Sequence, residues 1–270
     1  AKLRAWSSGW GLAEPMRLSE MTWPEVEAHL QESVGVLLPA GSTEQHGPVG
    51  LIGTDAICAE AVALGVAEAA GPSGAIVAPT LALAPAQFNL GFPGTISLRA
   101  QTFAAVVYDV LASLARQGFT RIYIVNGHGA NLAPIRSALH DVLHDLHSGP
   151  NDRFAVRLRS WWDYPEVDAL RKALYGDWEG MHATPSEVAI TQALVRRVEG
   201  AEDPPEKLSA GYLRDHAGDL HGAAAVHRRR FPDGRVGSHS ALATPEQGAD
   251  LLAAAVRGAT ADYLDFLKES

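Results

Sequence analysis

The sequence predicts an α/β fold, a three-layer α/β/α sandwich around a mainly parallel β-sheet. Short apolar runs recur along the chain, and amphipathic segments of ten residues or more separate them. An apolar run without polar alternation is typical of a parallel strand that is buried on both faces. Strands that alternate with helices of this length favour a parallel sheet with helices on both sides.

The composition fits a globular protein, and we predict one domain over residues 1–270. Hydrophobic residues make up 47% of the chain, which is enough for a sizeable core. The net charge of −9 argues against nucleic acid as a partner, because no basic stripe is present to neutralise a phosphate backbone. The single cysteine excludes an internal disulfide and a thiolate zinc cluster. Any metal must therefore be bound by histidine and carboxylate side chains.

The location of the protein is an expectation from what the sequence lacks. We recognise neither a secretory leader nor an apolar run long enough to cross a bilayer. We therefore expect a cytoplasmic protein that has no membrane partner.

Four apolar runs are predicted as strands, and capping residues mark where several helices begin. The strands are expected at residues 34–39, 75–81, 121–125 and 154–158. Thr22, Thr184 and Thr244 are each followed three residues later by glutamate or glutamine, which is the capping-box pattern. Ser97 is expected to cap a helix over residues 99–117. Further helices are expected over residues 56–70 and 166–174, and another follows Asn131 and ends near residue 147. Residues 199–240 should hold loops and no more than one helix.

Two polar stretches directly follow predicted strands. Glu44, His46 and Asp55 come after the first strand, and His128 lies in a Gly-His-Gly turn after the third. Because the carboxyl ends of parallel strands meet at one edge of a sheet, these side chains should lie together. Imidazole and carboxylate groups suit zinc and similar divalent ions. The alternative interpretation is a polar surface loop in which Asp55 caps the next helix.

Four motifs together resemble the creatininase (creatinine amidohydrolase) family. They follow one another in the family's order and span nearly the whole chain. They read Gly-Ser-Thr-Glu44-Gln-His46-Gly-Pro with Gly-Thr-Asp55, Phe92-Pro-Gly-Thr-Ile-Ser-Leu98, Asn126-Gly-His128-Gly-Ala-Asn131, and His182-Ala-Thr-Pro-Ser-Glu187.

The resemblance implies a site with two divalent metal ions, zinc or manganese, that hydrolyses C–N amide bonds in small molecules. Glu44 and His128 would bind one ion, His46 would bind the other, and Asp55 would bridge them. A metal-bound hydroxide would then attack the carbonyl carbon. The resemblance also implies a homo-oligomer, such as a hexamer.

The chain departs from creatininase at the residue two positions after His128. Creatininase has a metal-binding carboxylate there, and this chain has Ala130. The resemblance therefore implies Glu187 as the completing ligand, although its position three residues after Thr184 also explains it as a capping-box acid. The departure argues against creatinine itself as the substrate.

The remaining candidates would act on the substrate. By resemblance, His182 would transfer a proton to the leaving nitrogen; the alternative is a packed loop histidine. Met181 stands where creatininase has a glutamate. The large side chains that could wall the pocket, or else pack in the core or at a subunit interface, are Trp161, Trp162 and Trp178.

The predicted function is thus a metal-dependent amidohydrolase acting on a cyclic amide or formamide-type bond. Two alternatives stay open. One is a metal-stabilised binding protein of the same fold without turnover, and the other is a peptidase or deformylase of the same family.

Overall fold

A parallel sheet forms the centre of the molecule, as predicted. The structure is a computed structural model that describes residues 17–71, 74–147, 153–217 and 222–269. Within these residues the sheet has four strands in the spatial order β2-β1-β3-β4, and all neighbouring pairs are parallel. The strands are β1 (Gly35–Ala40), β2 (Ile76–Val77), β3 (Arg121–Asn126) and β4 (Ala155–Ser160).

Helices cover both faces of the sheet, which confirms the predicted α/β class. The main helices are α1 (Trp23–Glu32), α2 (Thr54–Ala70), α3 (Ala100–Gln117), α4 (Leu132–His147), α5 (Pro165–Tyr175), α6 (Pro185–Leu194), α7 (Ala210–His216), α8 (Ala224–Arg230) and α9 (Pro245–Lys268).

Alternate strand residues supply the two halves of the core. Val36 and Leu38 of β1 point into a cluster built with α1, α3 and α4. Leu37 between them points into a cluster built with α2, α5, α6 and α9. This alternation follows from the two-residue period of a strand, and it explains why β1 is fully buried.

The three predicted capping boxes are confirmed, but the Ser97 cap is wrong. Thr22, Thr184 and Thr244 each precede a helix in which both bonds of the box are present. Helix α3 instead begins after Arg99. The Ser97 hydroxyl accepts a hydrogen bond from the Ala86 N–H at 2.8 Å and donates to the Leu98 carbonyl. Its bonds therefore hold the preceding loop.

Strand β2 is much shorter than the predicted run of residues 75–81. The Ala78 N–H still donates to the Leu37 carbonyl at 2.8 Å, but the next bond would need an N–H from Pro39 of β1, which has none. Pairing resumes where the Leu81 N–H donates to the Pro39 carbonyl at 2.9 Å and the Gly41 N–H donates to the Leu81 carbonyl at 2.9 Å. The segment therefore continues along the edge of β1 without forming one continuous strand.

The described part of residues 199–240 holds two short helices, so the expectation of no more than one was wrong. Helix α7 begins at Ser209, whose hydroxyl accepts from the Tyr212 N–H at 3.1 Å. Helix α8 packs against the short 3₁₀ helix Gln87–Gly91. Each helix has seven residues, too few for a clear helical period.

The order of the strands creates a crevice between β1 and β3. The chain leaves β1 for β2 on one side and later returns to β3 on the other. In open α/β sheets, ligands bind at such a switch point, outside the carboxyl ends of the strands. Both predicted polar stretches lie here. Among the described residues, no helix has the length and apolar character of a membrane span.

Candidate metal centre

Strand β1 delivers Glu44 and His46 to this crevice. The Glu44 N–H donates to the Ile52 carbonyl at 2.9 Å, which folds the segment after β1 back on itself. Both side chains are buried, with 0% of Glu44 and 1% of His46 exposed. The carboxylate and the imidazole are therefore held in the interior.

Asp55 enters the centre from the first turn of α2, which packs against two glycines. A Cβ atom added at Gly41 would lie 2.3 Å from the Ala56 nitrogen, and one at Gly127 would lie 2.3 Å from the Asp55 carbonyl oxygen. These glycines end β1 and β3, so the missing side chains let the helix approach both strands. The N-cap residue of α2 is Gly53, and Asp55 lies within the helix. The alternative interpretation of Asp55 as a cap is therefore not supported.

His128 reaches the centre from the end of β3. The Gly127 N–H donates to the Ala40 carbonyl at 2.8 Å, and the His128 N–H donates to the Asn126 side-chain oxygen at 3.2 Å. These bonds extend the β1–β3 pairing past the strand ends. The side chain of His128 is 5% exposed.

Glu187 both caps helix α6 and faces the centre. Its Oε1 accepts from the Thr184 N–H at 2.6 Å and lies 3.8 Å from His46 Nε2. The backbone of Ala183 just before the cap has a φ of +52°, which is uncommon for a residue with a side chain. This left-handed residue turns the chain between His182 and the helix. The two interpretations of Glu187 describe one carboxylate in one position.

The structure brings all five predicted ligands together. Of three overlapping sets among the described residues that could hold an ion, two share Asp55, and the third joins Glu44, His46 and His182. Within each set the candidate ligand atoms lie within 4.8 Å of one another. One of the sets that share Asp55 contains Glu44, Asp55 and His128, and the other contains His46, Asp55 and Glu187. Asp55 Oδ2 lies 3.1 Å from His128 Nδ1, and Asp55 Oδ1 lies 2.9 Å from His46 Nε2. Asp55 thus offers one oxygen to each of these two sets.

Each histidine in these sets has one ring nitrogen bonded to a backbone carbonyl. His46 Nδ1 donates to the Glu44 carbonyl at 3.1 Å, and His128 Nε2 donates to the Pro85 carbonyl at 2.8 Å. The other nitrogen of each ring faces the carboxylates. This arrangement is typical of metal-binding histidines, because the outer bond fixes both the ring and its tautomer.

The residues present fit divalent cations. Glu44 Oε1 and Asp55 Oδ2 are buried and have no hydrogen-bond partner among the described residues. Burying a carboxylate oxygen without a partner is costly unless a cation balances it. Two imidazole nitrogens and three carboxylates are a donor set that suits zinc or manganese.

The buried charges shift one another strongly. Burial opposes the charged form of His46, but Asp55 and Glu187 outweigh it and raise the pKa of His46 to about 10. Burial is likewise outweighed at His128, where Glu44 and Asp55 raise the pKa to about 9. Burial raises the pKa of Glu187 to about 7, and it also raises the pKa of Glu44. Without ions, protons on the two histidines are the counter-charge, and ion binding would displace them.

His182 lies beside the five ligands with one ring nitrogen open. Its ring centroid is 4.6 Å from that of His46, and its Nδ1 is 3.4 Å from Glu44 Oε1. Its Nε2 lies 2.7 Å from the Gln45 carbonyl oxygen and also 3.0 and 3.3 Å from the side-chain nitrogens of Gln45 and Asn89. We assign the hydrogen to Nε2, because the nearest of these atoms is a carbonyl oxygen, which can only accept. Burial and then the charge of His46 hold the pKa of His182 well below its usual value. The ring is therefore neutral, with Nδ1 available to take a proton.

The three tryptophans lie in different surroundings. Trp161 is 2% exposed and packs in the core. Its ring centroid lies 5.6 Å from that of Trp162, in an edge-to-face arrangement. The ring centroid of Trp178 lies 5.6 Å from that of His239, in an edge-to-face arrangement. The Lys207 ammonium lies 4.6 Å from the centroid of the Trp178 ring. The core placement of Trp161 matches the alternative that the sequence left open. Substrate binding by these indoles stays a prediction.

Sequence reasoning gave no role to Asn89, which is fully buried beside Glu44. Its side-chain N–H donates to Glu44 Oε2 at 3.0 Å. The stretch Asn89–Thr95 contains two glycines, a proline and a phenylalanine, a pattern typical of a shaped loop. Nothing in that pattern singled out the asparagine.

Comparison with known proteins assigns the chain to a family. The family model described as "Creatininase: Creatinine amidohydrolase" matches residues 19–262. The chain belongs to the creatininase family. This membership confirms the resemblance drawn from the four sequence motifs.

The relatives of this creatininase-family chain include more than one kind of hydrolase. It is 32% identical over 193 residues to creatinine amidohydrolase of Pseudomonas putida, covering 68% of this chain and 73% of that one. It is 39% identical over 107 residues to the mycofactocin precursor peptide peptidase of Mycolicibacterium smegmatis (strain ATCC 700084 / mc(2)155), covering 38% of this chain and 43% of that one.

Solved structures of creatininase share the fold over nearly the whole chain. A crystal structure of creatinine amidohydrolase superimposes with a TM-score of 0.81 at 26% identity, covering 96% of this chain and all of that one. A structure described as "Creatininase Mn" superimposes with a TM-score of 0.77 at 28% identity, covering 93% of this chain and 98% of that one.

Two glycines in one turn allow a matched test of how Asp55 is placed. In Gly127→Ala the new methyl group would press on the Asp55 backbone, so we expect weaker Zn²⁺ binding and a loss of about 1–3 kcal/mol in unfolding free energy. Gly129→Ala is the control, because a Cβ atom there meets nothing within 4 Å. Zn²⁺ affinity by chelator competition and denaturant unfolding measure both effects. Equal Zn²⁺ affinities in the two variants would contradict the close approach of α2 to β3.

Proposed function

We propose that this creatininase-family chain is a metal-dependent amidohydrolase that hydrolyses a C–N bond in a small molecule. The observation that carries the proposal is the pair of buried ligand sets that share Asp55. Cyclic amides and formamides are the proposed substrate class. The similarity to creatinine amidohydrolase over 68% of the chain supports this class.

We propose that Glu44, Asp55 and His128 hold one divalent ion and that His46, Asp55 and Glu187 hold a second. The described "Creatininase Mn" structure and the donor chemistry support manganese or zinc. When bound, such ions polarise a carbonyl oxygen and lower the pKa of a water molecule. Three buried carboxylates supply three negative charges, more than one divalent ion would neutralise.

His182 would move the proton that the reaction requires. Its Nε2–H is fixed on the Gln45 carbonyl, so Nδ1 is the atom that would accept a proton from the attacking water. The water oxygen then bonds to the carbonyl carbon. As the C–N bond breaks, Nδ1 would return the proton to the leaving nitrogen. The products are a carboxylic acid and an amine, and His182 ends in its starting state.

A second candidate is hydrolysis of a peptide bond by the same residues. The 39% identity to a peptide peptidase over 107 residues supports it. Ala130 argues only against creatinine itself as the substrate, because the resemblance places a metal-binding carboxylate of creatininase at this position. Creatinine, hydantoins, lactams, formamides and short peptides supplied in parallel would separate the two candidates.

Removal of the ions should abolish hydrolysis in a reversible way. We expect dialysis against a chelator to remove activity on the best substrate of that panel, and Zn²⁺ or Mn²⁺ to restore it. The bound ions per chain are measured alongside by atomic emission. An unchanged rate in metal-free protein would refute the mechanism. Full metal binding without turnover of any substrate would favour a binding protein of this fold.

His182→Ala should separate chemistry from metal binding. Loss of a positioned acid or base lowers kcat by a factor of about 10²–10⁴. We expect that loss with the metal content unchanged, because His182 belongs to neither proposed ligand set. His140→Ala is the matched control, since this histidine lies on the exposed face of α4. A kcat within twofold of wild type in His182→Ala would refute the proposed role.

A further inference from the structure

We propose that Asn89 is a positioning residue that turns one oxygen of Glu44 toward the metal centre, and that Gln45 fixes Asn89 for this task. The inference rests on the proposed metal binding. It assigns a role to a residue of the 3₁₀ helix Gln87–Gly91.

The direction of each hydrogen bond in this network follows from its first donor. The Gly47 N–H can only donate, and it lies 2.7 Å from Gln45 Oε1. The amide nitrogen of Gln45 must therefore face the other way, where it donates to Asn89 Oδ1 at 2.9 Å and to the Gly234 carbonyl at 3.1 Å. With its oxygen engaged, Asn89 presents its own N–H groups to Glu44. The side-chain amide orientations are thus set by the backbone.

The last bond of the network distinguishes the two oxygens of Glu44. Asn89 Nδ2 donates to Oε2 at 3.0 Å, whereas Oε1 has no hydrogen-bond partner among the described residues. The free Oε1 lies 3.3 Å from His128 Nδ1 and 3.4 Å from His182 Nδ1. Without Asn89, Oε2 would lose this hydrogen bond, and the carboxylate would be free to rotate away from its present orientation. Asn89 therefore selects the oxygen that would bind the ion.

Rigid surroundings allow Asn89 to do this. Its side chain is 0% exposed, and its N–H and carbonyl close the turn by bonds to the Ala86 carbonyl and the Phe92 N–H at 2.9 and 3.0 Å. Gly234 has a φ of +85°, and a Cβ atom there would lie 2.0 Å from Gln45 Oε1. The segment between α8 and residue 240 thus packs directly on the Gln45 side chain.

The test is the binding of Zn²⁺ to Asn89→Leu, which removes both polar atoms of the side chain at similar volume. Loss of a hydrogen-bonding partner of a metal ligand lowers metal affinity by a factor of about 10–100. We expect this loss for one Zn²⁺ ion, the one bound by Glu44 and His128, and an unchanged affinity for the other. Chelator competition measures the two affinities, and denaturant unfolding of the metal-free protein shows whether the variant is folded.

Two further variants decide the outcome. Tyr263→Phe is the matched control, because Tyr263 is also fully buried but its hydroxyl donates to the Gly74 carbonyl at 2.8 Å, outside the metal centre. Both Zn²⁺ affinities should be kept in this control. Gln45→Met leaves Asn89 in place and should lower the affinity for the same Zn²⁺ ion by a smaller factor. This variant decides the question if Asn89→Leu does not fold.

Equal affinities in wild type and Asn89→Leu would overturn the proposal, and so would an equal loss in Tyr263→Phe. If wild-type protein binds no Zn²⁺, the proposed function fails instead. The two failures are therefore distinguishable.

Discussion

The burial of three carboxylates at one edge of the sheet is the constraint on which the centre depends. Glu44, Asp55 and Glu187 are each less than 9% exposed, and nearby positive charge must compensate the loss of hydration. In the metal-free protein, His46 and His128 supply that charge as protonated rings. In the proposed functional state, divalent ions would displace those protons, so ion binding would weaken as pH falls.

The fold meets this constraint through backbone geometry. Parallel pairing of β1 with β3 brings the segments that follow them side by side, and glycines at both strand ends admit the first turn of α2 with Asp55. Backbone carbonyls orient the histidine rings, and a capping bond holds Glu187. A second layer of amides, Asn89 and Gln45, completes the support. The capping box therefore serves stability and the site at once, which is why neither role excludes the other.

Much of this arrangement could be predicted because it depends on local patterns. Buried strands, capping boxes and polar residues after strands leave marks in a few adjacent residues, and the four motifs indicated the family. The errors have physical reasons: Pro39 has no N–H to continue the pairing of β1 with β2, and helices α7 and α8 are too short to show a period. The role of Asn89 depends on contacts 44 and 45 residues apart in sequence, which no local pattern encodes. The tryptophans show the same limit, because burial of Trp161 depends on packing between distant helices.

The most direct test of the account is anomalous X-ray diffraction from crystals loaded with Zn²⁺ or Mn²⁺. The account predicts two peaks about 3.5 Å apart. One should lie between Glu44 and His128 and the other between His46 and Glu187, with one Asp55 oxygen bonded to each ion. A single peak, no peak, or ions that do not touch Asp55 would contradict it.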